Sequence, residues 1–157
     1  MSNSTLNIGV AGLGTVGAGV VKLLKRQASL VSLRSGRDIT VTAVSARDQS
    51  KERGVNLAGI NWIDNPLELA KDENVDVVVE LIGGEDGIAK EVVKTAIANG
   101  KHVVTANKAL IAHHGTELAR LAEAANVAVA FEAAIAGGIP IVKALREGLV
   151  GNKVSRI

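Results

Sequence analysis

Apolar residues in this chain come in short runs separated by stretches of helical period, and the alternation repeats along its whole length. Runs at Leu6 to Ala11, Ile39 to Ser45, Val75 to Ile82, His102 to Thr105 and Val127 to Phe131 have the length and Val/Ile content of buried strands. Another begins near Val154. Helical patterns start from Thr15, from Pro66, from Asp86, from His114 or Gly115, and from Pro140. Strand and helix taking turns predicts an α/β fold: a doubly wound, mostly parallel sheet with helices on both faces.

Local signals sharpen several of these elements. The first helix is expected from Thr15 to about Ala28, burying a face of Val16, Val20, Leu23 and Leu24. Asn65-Pro66 supplies a capping side chain before a proline at the first helical position, and Glu68 favours the same helix start through its dipole. Asn99-Gly100 ends the helix that begins near Asp86. Ser29 to Asp38 lacks apolar periodicity, so a surface loop is expected there.

Between the first strand and the first helix stands Gly12-Leu13-Gly14-Thr15-Val16-Gly17. In that position the spacing G-x-G-x-x-G suits a dinucleotide pyrophosphate. The first glycine turns the chain, the second keeps side chains away from the phosphate, and the third lets helix and sheet approach. The helix N-terminus then offers N–H groups and the positive end of its dipole.

Composition removes other classes. At 157 residues the chain has the size of one domain, and with one Trp, one Phe and no Tyr its core must be aliphatic. The 18 basic and 16 acidic side chains are interspersed, leaving no basic stripe for nucleic acid. Without cysteine there is no disulfide framework, cysteine-ligated zinc or thiol nucleophile. Glu132 and Gly137-Gly138 interrupt the longest apolar run below membrane-spanning length. The polar lead Met1-Ser2-Asn3-Ser4 has no signal-peptide pattern, so a cytoplasmic enzyme is expected.

The strand ends carry the remaining candidate chemistry. The second strand exits through Ala46-Arg47-Asp48 with Lys51 close behind, which favours NADP over NAD because arginine meets a 2′-phosphate where an acidic residue would bind ribose hydroxyls. The alternative is a solvated Arg47 paired with Asp48. Gly83-Gly84 ends the third strand either as a close backbone approach to a ligand or as a simple turn. Lys108 follows the fourth strand, at the sheet edge where ligands bind. Glu132 needs a partner inside its apolar run, either a cation shared with nearby carbonyls or the N–H groups opening the Pro140 helix. His102, His113 and His114 show no metal-ligand spacing; the first is expected at a strand edge and the pair at a solvated helix start.

Three segments together closely resemble the homoserine dehydrogenase family: residues 12 to 17, Val103-Val104-Thr105-Ala106-Asn107-Lys108, and Phe131-Glu132-Ala133-Ala134-Ile135-Ala136-Gly137-Gly138-Ile139-Pro140. Val79 to Gly84 and Lys143 to Leu149 fit the same family, so the resemblance covers nearly the whole chain. It implies a Rossmann-type cofactor domain from an enzyme that interconverts L-homoserine and L-aspartate 4-semialdehyde, on the route to threonine and methionine. Gly12, Gly14, Thr15, Val16 and Gly17 would hold the pyrophosphate, Arg47 the NADP phosphate, and Lys108 would lie beside nicotinamide and substrate. Glu132 with backbone groups of Ile135, Gly137 and Ile139 resembles the family's site for a monovalent cation such as Na+. The family's substrate-binding and dimerisation region, with further catalytic residues, lies beyond Ile157. Residues 1–152 are therefore expected to form the NAD(P)-binding domain, with 153–157 opening a strand toward a further domain. On this reading the chain alone is inactive and the full-length enzyme a homo-oligomer. The competing reading is a stand-alone NAD(P)-binding or redox-sensing module.

Overall fold

The computed structural model describes residues 5–156. Its sheet contains β1 (Leu6–Ala11), β2 (Ile39–Ser45), β3 (Asn61–Trp62), β4 (Val77–Glu80), β5 (His102–Thr105) and β6 (Val129–Ala130). Every pairing is parallel, in the order β3-β2-β1-β4-β5-β6. The helices are α1 (Thr15–Arg26), α2 (Ala28–Ser35), α3 (Pro66–Lys71), α4 (Ile88–Ala98), α5 (Lys108–Ala124), α6 (Glu132–Ala136) and α7 (Ile141–Lys143), the last continuing into a π turn at Ala144–Gly148. This is the expected doubly wound α/β fold.

Two apolar cores lie on opposite faces of the sheet. Alternation within β4 divides them: Val78 joins Leu69, Val92, Val93, Leu110 and Leu118 in one, while Val77 and Val79 join Ile8, Val10, Val21 and Val44 in the other. Helices α3, α4 and α5 thus cover one face, and α1 the other. Leu69, Val92, Leu110 and Leu118 are fully buried, so truncating any of them would leave a cavity in the face that supports β4 and β5.

Several local expectations need correction. Ser29 to Asp38 is largely helical: α2 follows α1 directly, with Gln27 N donating to Leu23 O at 2.8 Å and Val31 N to Gln27 O at 2.9 Å. No α2 residue is buried, which explains why it lacks an apolar stripe. Helix α5 begins at Lys108 rather than His114 or Gly115, because Asn107 Oδ1 accepts the Leu110 amide at 3.1 Å. The buried face of α1 is also rotated from the one expected. Gly17 and Val21 are buried there, whereas Val16 is 58% and Leu23 49% exposed. The sixth strand is β3, too short to show periodicity, while residues 153–156 form no strand. Met1–Ser4 and Ile157 lie outside the described residues, and with them the polar lead and the end of the expected last strand.

Candidate functional site

Parallel register aligns the strand ends Ser45, Ala11, Glu80 and Thr105 across the carboxyl edge of the sheet. The connections from β1 run to β2 on one side, and β4 lies on the other, so the crevice of this sheet opens at the end of β1. Gly12 N donates to Ser45 O at 2.8 Å and Leu81 N to Ala11 O at 2.8 Å, which fixes that end between its neighbours.

The three glycines of the turn have different surroundings. Gly12 has φ +102°, and a Cβ there would lie 2.6 Å from the backbone carbonyl of Leu81. A Cβ on Gly17 would meet Gly12 O at 1.9 Å. Around a Cβ on Gly14 there is no atom within 4 Å. Two glycines therefore serve close packing, and the middle one faces open space at the start of α1.

That helix start is chemically bare. No side chain caps α1, and its first turn holds no acidic residue. The contrast with α3 and α5 is informative, since Asn65 Oδ1 accepts Leu67 N at 3.0 Å and Asn107 caps α5. Uncapped N–H groups with a positive dipole end suit an anion. A cleft of about 410 Å³ opens there, its charged lining made of Lys22, Lys51 and Arg53 against the single carboxylate of Glu52, so cations outnumber anions beside the turn. Another depression, about 530 Å³, runs along α4 past Lys90 and Lys94; both lysines pair with Glu117, at 3.5 and 2.8 Å.

Arg53, not singled out in the sequence, organises one wall of the glycine cleft. Its Nε donates to Leu13 O at 3.0 Å, one Nη to Lys51 O at 2.6 Å and the other to Asp48 O. The guanidinium also lies over the Trp62 ring, 5.4 Å from its centroid. A planar fork thus ties the loop after β2 to the glycine turn. Lysine lacks that fork, so Arg53→Lys is expected to cost roughly 1 kcal/mol of stability in a thermal melt, with a matching loss of anion affinity.

Arg47 is exposed at the carboxyl end of β2 and takes part in no ion pair among the described residues. The pairing with Asp48 does not form. Asp48 Oδ1 instead accepts the Ser50 hydroxyl at 2.7 Å and the Ser50 amide at 2.9 Å. These bonds hold the Asp48 carboxyl below its ordinary range. Arg47 does not line the glycine cleft; Lys51 does.

On the other side of the crevice, Lys108 is the exposed first residue of α5. Gly83 and Gly84 have φ of +85° and +89°, a backbone conformation that favours glycine in either of the two readings open for them. Among the histidines, His102 Nδ1 accepts the Ala128 amide at 3.0 Å. His113 and His114 sit inside α5 rather than at its start, beside Glu85 at 3.2 Å and Asp86 at 2.9 Å. No group of three or more His, Asp or Glu side chains is placed to hold a metal among the described residues.

Glu132, the carboxylate of the expected cation set, faces the start of α7. Glu132 Oε1 accepts the Val142 amide at 2.8 Å and Oε2 the Lys143 amide at 3.0 Å. The Ile139 carbonyl accepts the Ile141 amide at 2.8 Å. Of the two readings open for Glu132, these contacts match the N–H groups that begin α7.

Comparison with known proteins places these features in context. Residues 12–132 match the family model described as "Homoserine dehydrogenase, NAD binding domain". The homoserine dehydrogenase of Neisseria gonorrhoeae is 51% identical over 152 residues, covering 97% of this chain and 34% of that protein. The crystal structure of a homoserine dehydrogenase from Thiobacillus denitrificans superposes with a TM-score of 0.87 at 48% identity, over 95% of this chain and 34% of the other. A hyperthermophilic archaeal homoserine dehydrogenase in complex with NADPH superposes with a TM-score of 0.77 at 25% identity, over 94% of this chain and 50% of the other. The chain thus spans about a third of the length of the curated relatives it matches. No helix among the described residues is long and apolar enough to cross a membrane.

Proposed function

This chain belongs to the homoserine dehydrogenase family through the family's NAD-binding domain, and from that premise we propose that it binds NADPH along the carboxyl edge of its sheet. The observation that carries the reading is the uncapped start of α1 beside Gly14, facing a cleft with Lys22, Lys51 and Arg53. Backbone N–H groups of Thr15, Val16 and Gly17 would hold the pyrophosphate. Arg47 and Lys51 would meet the 2′-phosphate, a choice supported by the unpaired Arg47 and by the NADPH held in the archaeal neighbour.

Lys108 would stand near the nicotinamide, with its ammonium available to a substrate oxygen. The bound cofactor supplies hydride chemistry between its nicotinamide and C4 of the substrate; the protein orients the two carbons. In the family's setting the substrate pair is L-homoserine and L-aspartate 4-semialdehyde, serving threonine and methionine synthesis in the cytoplasm. A monovalent cation would share Glu132 with the two amides it already accepts, through the remaining lone pairs of the carboxylate, with backbone groups of Ile135, Gly137 and Ile139.

The phosphate assignment has a direct test. Arg47→Ala is expected to weaken NADPH about 10-fold while changing NADH by less than about twofold, the loss of one charge-assisted contact. Calorimetric titration of both nucleotides measures it. Equal weakening of the two would remove Arg47 from the phosphate site.

A further inference from the structure

Glu80 is fully buried, at 0% exposure, at the end of β4. Three valines precede it, and the apolar core by itself gives no reason for a carboxylate there. A buried carboxylate persists only where N–H and O–H groups replace its water. All of those groups come from the segments flanking the expected nicotinamide side of the crevice. Glu80 Oε1 accepts the amides of Ile82 at 2.7 Å and Gly83 at 3.2 Å, and Oε2 accepts the Thr105 hydroxyl at 2.6 Å.

The bonding continues past Thr105. Its hydroxyl oxygen accepts the Asn107 amide at 3.0 Å, Asn107 Nδ2 donates to Gly84 O, and Asn107 Oδ1 holds the Leu110 amide at 3.1 Å. These bonds close a circuit from the end of β4, through the end of β5 and the start of α5, back to the loop after β4. Direct register pairing of Glu80 with Thr105 makes the circuit possible. The backbone it holds is Ile82 to Gly84 on one side and the start of α5 at Lys108 on the other.

We propose that Glu80 and Thr105 are positioning residues for the nicotinamide half of the cofactor, locking the 82–84 backbone and the Lys108 end of α5 into one geometry. The inference rests on the dinucleotide reading above. It requires that the circuit acts on nicotinamide and leaves the adenosine and pyrophosphate contacts at Gly14 unchanged. A merely structural circuit would instead affect both halves through general loss of stability.

The test compares NADPH with 2′-phospho-ADP-ribose, the same nucleotide lacking nicotinamide, on the full chain by equilibrium titration, with a thermal melt of every variant. Glu80→Gln and Thr105→Val are expected to weaken NADPH about 10-fold and 2′-phospho-ADP-ribose by less than about twofold, as the loss of a buried charge-assisted bond predicts. Thr105→Ser keeps the hydroxyl and should restore NADPH affinity. Thr105→Val is nearly isosteric, so the Val/Ser pair decides the matter if Glu80→Gln fails to fold. Parallel weakening of both ligands, or no change in either, would overturn the inference. So would a wild-type chain that binds NADPH no more tightly than 2′-phospho-ADP-ribose, since it would have no nicotinamide contact to position; dinucleotide binding would survive that result. Wild-type binding of neither ligand would instead overturn the dinucleotide reading, and this inference with it.

Discussion

Replacing Gly17 with alanine is expected to lower the unfolding free energy by roughly 3 kcal/mol or more, near the top of the range for overpacked positions. The added methyl carbon would lie 1.9 Å from Gly12 O and 2.9 Å from Gly12 C. Both are backbone atoms of a turn whose amide is bonded to Ser45 and whose walls are Ala11 and Leu81. No side-chain rotation can relieve the contact. Helix α1 would have to lift from the sheet, withdrawing Val21 from its core. Chemical denaturation should show an earlier midpoint with an unchanged slope.

Gly14→Ala should give the opposite phenotype: nearly intact stability and strongly reduced nucleotide binding. Its φ of −73° is open to alanine, and the new methyl meets no protein atom within 4 Å. The capping preference for glycine over alanine costs less than about 1 kcal/mol. A pyrophosphate drawn to the first-turn amides would occupy the same space. Losing one or two charge-assisted hydrogen bonds, each about 1.5–3 kcal/mol, corresponds to about 100-fold weaker NADPH. Titration beside a thermal melt separates the effects. Wild-type affinity in Gly14→Ala would place the pyrophosphate elsewhere.

Legibility in the sequence followed the range of the interactions involved. The bounds of β1, β2 and β5 were readable because whole apolar runs are buried between neighbouring strands, and the order of strands and helices then implied the sheet. Helix α2 escaped because it buries nothing, and β3 because Asn61 and Trp62 become a strand only by pairing with Ala43 and Val44. The buried face of α1 is hidden in the sequence because Gly17, its close contact with the turn after β1, carries no hydrophobicity to count. In the site, the glycine turn was legible as a local pattern. Arg53 was not, since its work is done on the carbonyl of Leu13, 40 residues away. The Glu80–Thr105 bond likewise joins residues 25 apart, and only the parallel register reveals it. Glu132 was legible as a carboxylate in need of partners, and the folded chain supplies them from α7.

The most direct measurement is calorimetric titration of the wild-type chain with NADPH. The geometry around Gly14 predicts saturable binding at a single site per chain, weakened by rising salt because phosphate contacts with Lys and Arg are screened. Absence of saturable binding by a chain whose melt is cooperative would contradict a dinucleotide site at the glycine turn.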